Sequence, residues 1–217
     1  MASGPFTKQV PFLAGKLNSY TGDAVVGGQI TAVPSGLTIN AGQSMRPGDR
    51  LIFGATEILA WEDSTIGTSL YEGLYIYVRT KANSTLTPTL GHLAFWDSAA
   101  TDSLVQVTPD ESGSEGVALR AGVFVSTLTK GNAWFVQAAG KCNVVFTTPL
   151  SGIPSDGSPV FASGDGAGTA DVLDGGGSPS FTQVGQMINR YMGVALSAPA
   201  AGGTSVVELA FGGILRF

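Results

Sequence analysis

Short apolar runs, alternating or continuous, recur along this 217-residue chain, and each is cut off by Gly, Pro, Asn, Asp or Ser. Such punctuation leaves little room for long helices and marks short strands joined by tight turns, the pattern of a sandwich or small barrel. The expected fold class is therefore all-β, with short antiparallel strands in one or two small barrel or sandwich units. The runs predict strands over 49–61, 70–80, 93–96, 104–108, 116–128, 133–137, 142–147, 159–162, 171–173, 184–196 and 205–211. One stretch, 181–192, has some helical character, but it contains Gly185 and reads equally as an extended strand.

Composition agrees with many turns. Gly accounts for 31 residues, charged side chains for 12%, and Ser and Thr together for forty, so the polar surface is mostly hydroxyl and amide. With 43% hydrophobic residues and a net charge of −5, apolar burial can offset chain entropy, and the chain should be compact. The eleven Lys and Arg are scattered singly, with no basic patch, which argues against nucleic acid as a partner. No apolar run approaches the roughly 18 residues of a helical span, and Met1 to Val10 lacks the order of a signal peptide. The expectation is a soluble protein made in the cytoplasm, with no membrane partner.

Residues 1–45 differ from the rest. Gly4, Pro5, Pro11, Gly15, Gly22, Gly27, Gly28 and Pro34 interrupt any long element, yet Phe6, Phe12, Leu13 and Tyr20 are apolar side chains a solvated tail has no reason to carry. They read as the anchors of an extended N-terminal arm, docked on a partner or on its own domain. A weak internal repeat divides the remainder. Gly91-His-Leu-Ala-Phe-Trp96 resembles Gly157-Ser-Pro-Val-Phe-Ala162, Gly116-Val-Ala-Leu119 matches Gly193-Val-Ala-Leu196, and Gly131 and Gly140 fall on Gly203 and Gly212. The expected domains are thus the arm, a β unit over 46–140 and a second over 141–217.

No motif assembles a catalytic centre. His92 is the sole histidine, so a two-His metal site is impossible, and Cys142 sits in a strand-like run where a packed thiol is expected. Gly164-Asp-Gly-Ala-Gly168 has the look of a phosphate loop but no helix pattern follows it, so it reads as a hairpin tip. Asp156, Asp165, Asp171 and Asp174 lack the spacing of a calcium loop, and Glu57, Glu62, Asp63 and Glu72 are the carboxylates a glycosidase would draw on. The expectation is no enzyme, no cofactor and no metal.

Four blocks in order, Gly140-Lys-Cys-Asn-Val-Val-Phe146, Gly157-Ser-Pro-Val-Phe161, Met192-Gly-Val-Ala-Leu196 and Ala201-Gly-Gly-Thr-Ser-Val-Val207, resemble the capsid decoration (cement, head-stabilising) proteins of tailed bacteriophages. The resemblance covers about the last eighty residues. It implies a virion structural protein on the outer surface of the capsid, commonly a homotrimer, which clamps neighbouring major capsid protein subunits without enzymatic activity. On that reading Phe6, Phe12, Leu13 and Tyr20 are the capsid-binding residues. The alternative is a tail, baseplate or fibre-associated module in which Trp61, Trp96 or Trp134 stacks on host-surface carbohydrate.

Overall fold

The computed structural model describes residue 48, 50–53, 71–97, 106–110, 120–164, 167–172 and 191–210, together with the backbone of two short strands at 25–26 and 29–30. Among the described residues there are strands and no helix, and the protein is all-β. Most of the arm, including Phe6, Phe12, Leu13 and Tyr20, lies outside them. Within it β1 (Val25–Val26) and β2 (Gln29–Ile30) pair antiparallel with each other. The remaining ten strands form one sheet.

Five elements of that sheet close into a barrel. They are β4 (Gly73–Thr80), β5 (Leu93–Trp96), β6 (Gln106–Thr108), β7 (Arg120–Phe124) and the first half of β8 (Ala133–Val145), hydrogen-bonded in the circular order β4-β6-β5-β7-β8. A ring with an odd number of strands cannot alternate direction all the way round. One pair must be parallel, and it is β4 with β6, which corrects the expectation of wholly antiparallel pairing. A further strand, β3 (Arg50–Phe53), lies antiparallel along β4.

The second half of β8 starts another ring. From it the order runs through β12 (Thr204–Leu209), β11 (Tyr191–Ala195) and β9 (Pro159–Ala162) to β10 (Ala170–Val172). The return to β8 is a parallel bridge between Phe146 and Ala170, with Thr147 N donating to Ala170 O at 2.8 Å. Expected separately as 133–137 and 142–147, the two halves are one continuous strand of 13 residues. Gly140, with φ of 92°, sits at the changeover, where a Cβ would strike Glu72 O.

The ladders of the two rings repeat pair by pair. Tyr77 with Phe135 and Val78 with Trp134 in the first become Asn143 with Val206 and Val144 with Ser205 in the second. Leu93 with Val123, Ala94 with Gly122 and Phe95 with Arg120 become Pro159 with Val194, Val160 with Gly193 and Phe161 with Tyr191, and both ladders skip one residue, Ala121 or Met192. Trp96 with Val107 becomes Ala162 with Ala170. Turn bonds repeat as well: Gly91 N to Phe124 O and Gly157 N to Ala195 O are 2.8 and 2.9 Å.

This register corrects two landmarks of the sequence repeat. Gly193 answers to Gly122 and not to Gly116, because a Cβ at Gly122 would strike Gln137 O and one at Gly193 would strike Glu208 O. Close approach of the neighbouring backbone, rather than the Gly-Val-Ala-Leu string, fixes the equivalence. Likewise Gly131 answers to Gly202 and not to Gly203, both having positive φ, 87° and 66°. Gln137 and Glu208 then coincide.

Burial separates what the ladders equate. In β12, Ser205, Val207 and Leu209 are buried and Thr204, Val206 and Glu208 are not, the alternation of a strand with one wet face. In β4 the run from Tyr75 to Val78 is buried on both faces, as is Ala133 to Gln137 of β8. The first core holds Tyr75, Tyr77, Phe124, Trp134 and Phe135, with Tyr77 set edge-on to Phe135 at 5.2 Å between centroids. The second holds Cys142, Val144, Phe146, Val160, Met192 and Val207, and also draws in Leu93, Phe95 and Val123 from the first barrel.

Candidate functional site: the apolar outer face of the second barrel

Of the chemistry-bearing residues singled out in the sequence, Cys142 and Asp171 are built into the fold. Cys142 is buried beside Val144 and Phe146, and loss of hydration pushes its thiol pKa up, so at neutral pH it stays protonated and is no nucleophile. Asp171 is buried with its Oδ1 accepting from Ser151 N at 2.9 Å and Val172 N at 2.8 Å, which fixes the chain around β10. Asp156 is exposed in a turn, Asp165 and Asp174 lie outside the described residues, and no group of three metal-binding side chains occurs among those described. Glu72 is exposed, while Glu57, Glu62 and Asp63 lie outside. Gly164 to Gly168 joins β9 to its antiparallel neighbour β10, as a hairpin tip does.

Of the tryptophans considered for sugar stacking, Trp134 is buried in the first core, packed edge-on to Phe135, and Trp96 is half-buried against the same core. Trp61 lies outside the described residues. His92 is half-buried at the start of β5, its backbone N and O engaged by Thr89 O and Phe124 N.

The first barrel is joined to the second through the β5–β7 face. Leu93, Phe95 and Val123 are almost fully buried there, Leu93 N donates to Gly168 O at 2.7 Å, and Val145 N donates to Gly91 O at 2.9 Å. Arg120 completes the junction by donating through its two terminal nitrogens to Met192 O and Ala210 O. Burial lowers its pKa to about 10, which leaves the guanidinium charged at neutral pH, where two charge-assisted hydrogen bonds offset part of its lost hydration.

At the corresponding positions of the second barrel stand Pro159, Phe161, Val194 and, in place of Arg120, Tyr191. Every one is apolar or aromatic, and none of the four is fully buried. Pro159 is exposed, Phe161 and Val194 are half-buried, and Tyr191 is 40% exposed with its ring 5.6 Å from that of Phe161. Beyond the end of β11, Leu196 is 43% exposed where its counterpart Val125 is 4%. The sequence signal for this face was present: 191–196 is apolar without alternation, so both sides of β11 ask for a partner.

No protein family matches this chain, and no curated protein does. Among solved structures it is similar to the N base of the head fiber gp8.5 of bacteriophage phi29, at 13% identity and a TM-score of 0.40, over 65% of this chain and 99% of that one. At that score the likeness speaks to neither fold nor role.

Proposed function

We propose that this chain is a structural protein of a phage virion, bound to the outside of the head, where it cements neighbouring major capsid protein subunits without turning over any substrate. One observation carries the reading. The four sequence blocks that resemble capsid decoration proteins fall on β8, β9, β11 and β12, which are successive hydrogen-bonded neighbours of the second barrel in the order β8-β12-β11-β9. The resemblance thus coincides with one structural unit, four of the strands that close the second barrel.

The capsid grip is assigned to the arm, through Phe6, Phe12, Leu13 and Tyr20. Burying each such side chain contributes roughly 1.5–3 kcal/mol, while ordering the backbone costs about 1–2 kcal/mol per residue. Four anchors do not offset the ordering of forty residues, so main-chain pairing with capsid strands, or multiplication over a homotrimer, must add to them. Fractionation of disrupted virions tests the assignment. The chain should follow the heads; its recovery with tails or fibres would replace this reading by the carbohydrate-binding one.

A further inference from the structure

We infer that the two barrels depend on each other in one direction only: the second needs the first in order to stay closed, whereas the first holds its fold with the second open. The asymmetry lies in the cores. Every buried side chain of the first core, from Tyr75 to Val136, comes from the first barrel itself. The second core is completed by Leu93, Phe95 and Val123, which belong to the first. Along β5 and β7 these three alternate with Ala94 and Phe124 of the first core, so they stand on the outer side of that barrel and take no part in its interior. Uncovering them leaves the first core intact, while losing them opens the second core along one side.

Hydrogen bonds across the junction reach each part of the second barrel. Gly91 O accepts from Val145 N on the second half of β8, Leu93 N donates to Gly168 O at the β9–β10 tip, and Arg120 donates to Met192 O on β11 and to Ala210 O just past β12. The closure of the first barrel is held by its own residues. Lys81 N donates to Val107 O at 2.8 Å, Lys81 Nζ lies 3.5 Å from Asp97 Oδ2, and Thr85 Oγ1 donates to Asp110 Oδ2 at 2.7 Å. Among the described residues the second ring closes on one bridge, Phe146 with Ala170, where the first has the β4–β6 ladder. The places of Lys81 and Asp97 are taken there by Thr147 and Ser163, whose backbone N–H groups make the equivalent bonds to Ala170 O and Thr169 O but whose side chains cannot pair as ions. The less secured ring is therefore the one that leans on its neighbour, and it is the one that opens first.

The chain carries a reporter for each barrel. Its tryptophans, Trp61, Trp96 and Trp134, all precede Gly140, and Trp134 is buried in the first core, while Cys142, its one cysteine, is buried in the second. In a denaturant titration of the purified full chain, a brief pulse of thiol reagent should label Cys142 at a lower denaturant concentration than the one that shifts tryptophan emission. Coincident transitions, or an emission shift that comes first, would overturn the inference. Val136 and Val160 are fully buried, one in each core, and an aspartate at either place puts an unpaired charge there. Val160→Asp should make Cys142 reactive without denaturant and leave tryptophan emission native, and Val136→Asp should make Cys142 reactive and shift the emission as well. A shifted emission in Val160→Asp, or a protected Cys142 in Val136→Asp, would overturn the inference too. No heads are used, so failure here leaves the virion role untouched.

Discussion

The two barrels share a hydrogen-bond pattern and differ in what surrounds it. Tyr77 and Phe135 face each other across a fully buried ladder in the first, and at the same places in the second stand Asn143 and Val206, both half-buried. The features common to both are backbone ones: a glycine where the adjacent strand approaches, a skipped residue just before it, and a parallel closure. Outer-face side chains are free of that geometry, and so can be given to packing in one copy and to surface in the other.

Truncation of equivalent residues should separate the copies most widely. Phe135→Ala removes a ring with no exposed area and should cost about 3–5 kcal/mol, whereas Val206→Ala should cost less than about 1 kcal/mol, read as shifts in denaturant midpoint. Equal losses would break the comparison, since they would mean that the outer face of the second barrel is covered as well.

A smaller effect comes from the buried titrating groups, which sharpen the contrast further. Cys142 in the second core and Tyr75 in the first both have pKa values raised, chiefly by burial, above their ordinary 9.0 and 10.0. Each holds its proton in the fold to a higher pH than in the unfolded chain. Their stabilisation is therefore complete below those values and is lost as pH rises through and beyond them. Arg120 acts oppositely: its lowered pKa makes stability rise with pH from about 10 upward. In the window from pH 9 to 10 most of the loss should come from Cys142 in the second barrel, whose ordinary value lies below that of Tyr75, and Cys142→Ala should flatten it. An unchanged slope in that variant would place the alkaline sensitivity elsewhere.

Much of this architecture was legible in the chain. Strands 93–96 and 159–162 coincide with β5 and β9, because both are short apolar runs with a glycine turn before them, and the paired turns at Gly91 and Gly157 gave away the repeat. Other features were hidden. Gly140 looks like a strand end, yet β8 runs through it, since a glycine is wanted there for the approach of Glu72 O. The parallel closures join residues far apart in sequence and leave no local trace. Gly116-Val-Ala-Leu119 misled because composition repeats more readily than packing, whereas the contact that matters, Gly122 on Gln137 O, is visible only in the folded sheet. For the candidate face, the sequence marked only a strand over 184–196, and the counterpart of that face in the first barrel emerged from the ladder register.

The role on the head is tested most directly by co-sedimentation of the purified chain with heads that lack it, run beside a protein in which residues 2–20 are deleted. The account predicts that the full chain binds saturably, and that the truncated protein keeps its β spectrum but loses most of its binding. Failure of the full chain to sediment with heads would contradict the virion role, and full binding by the truncated protein would move the grip from the arm to the barrels.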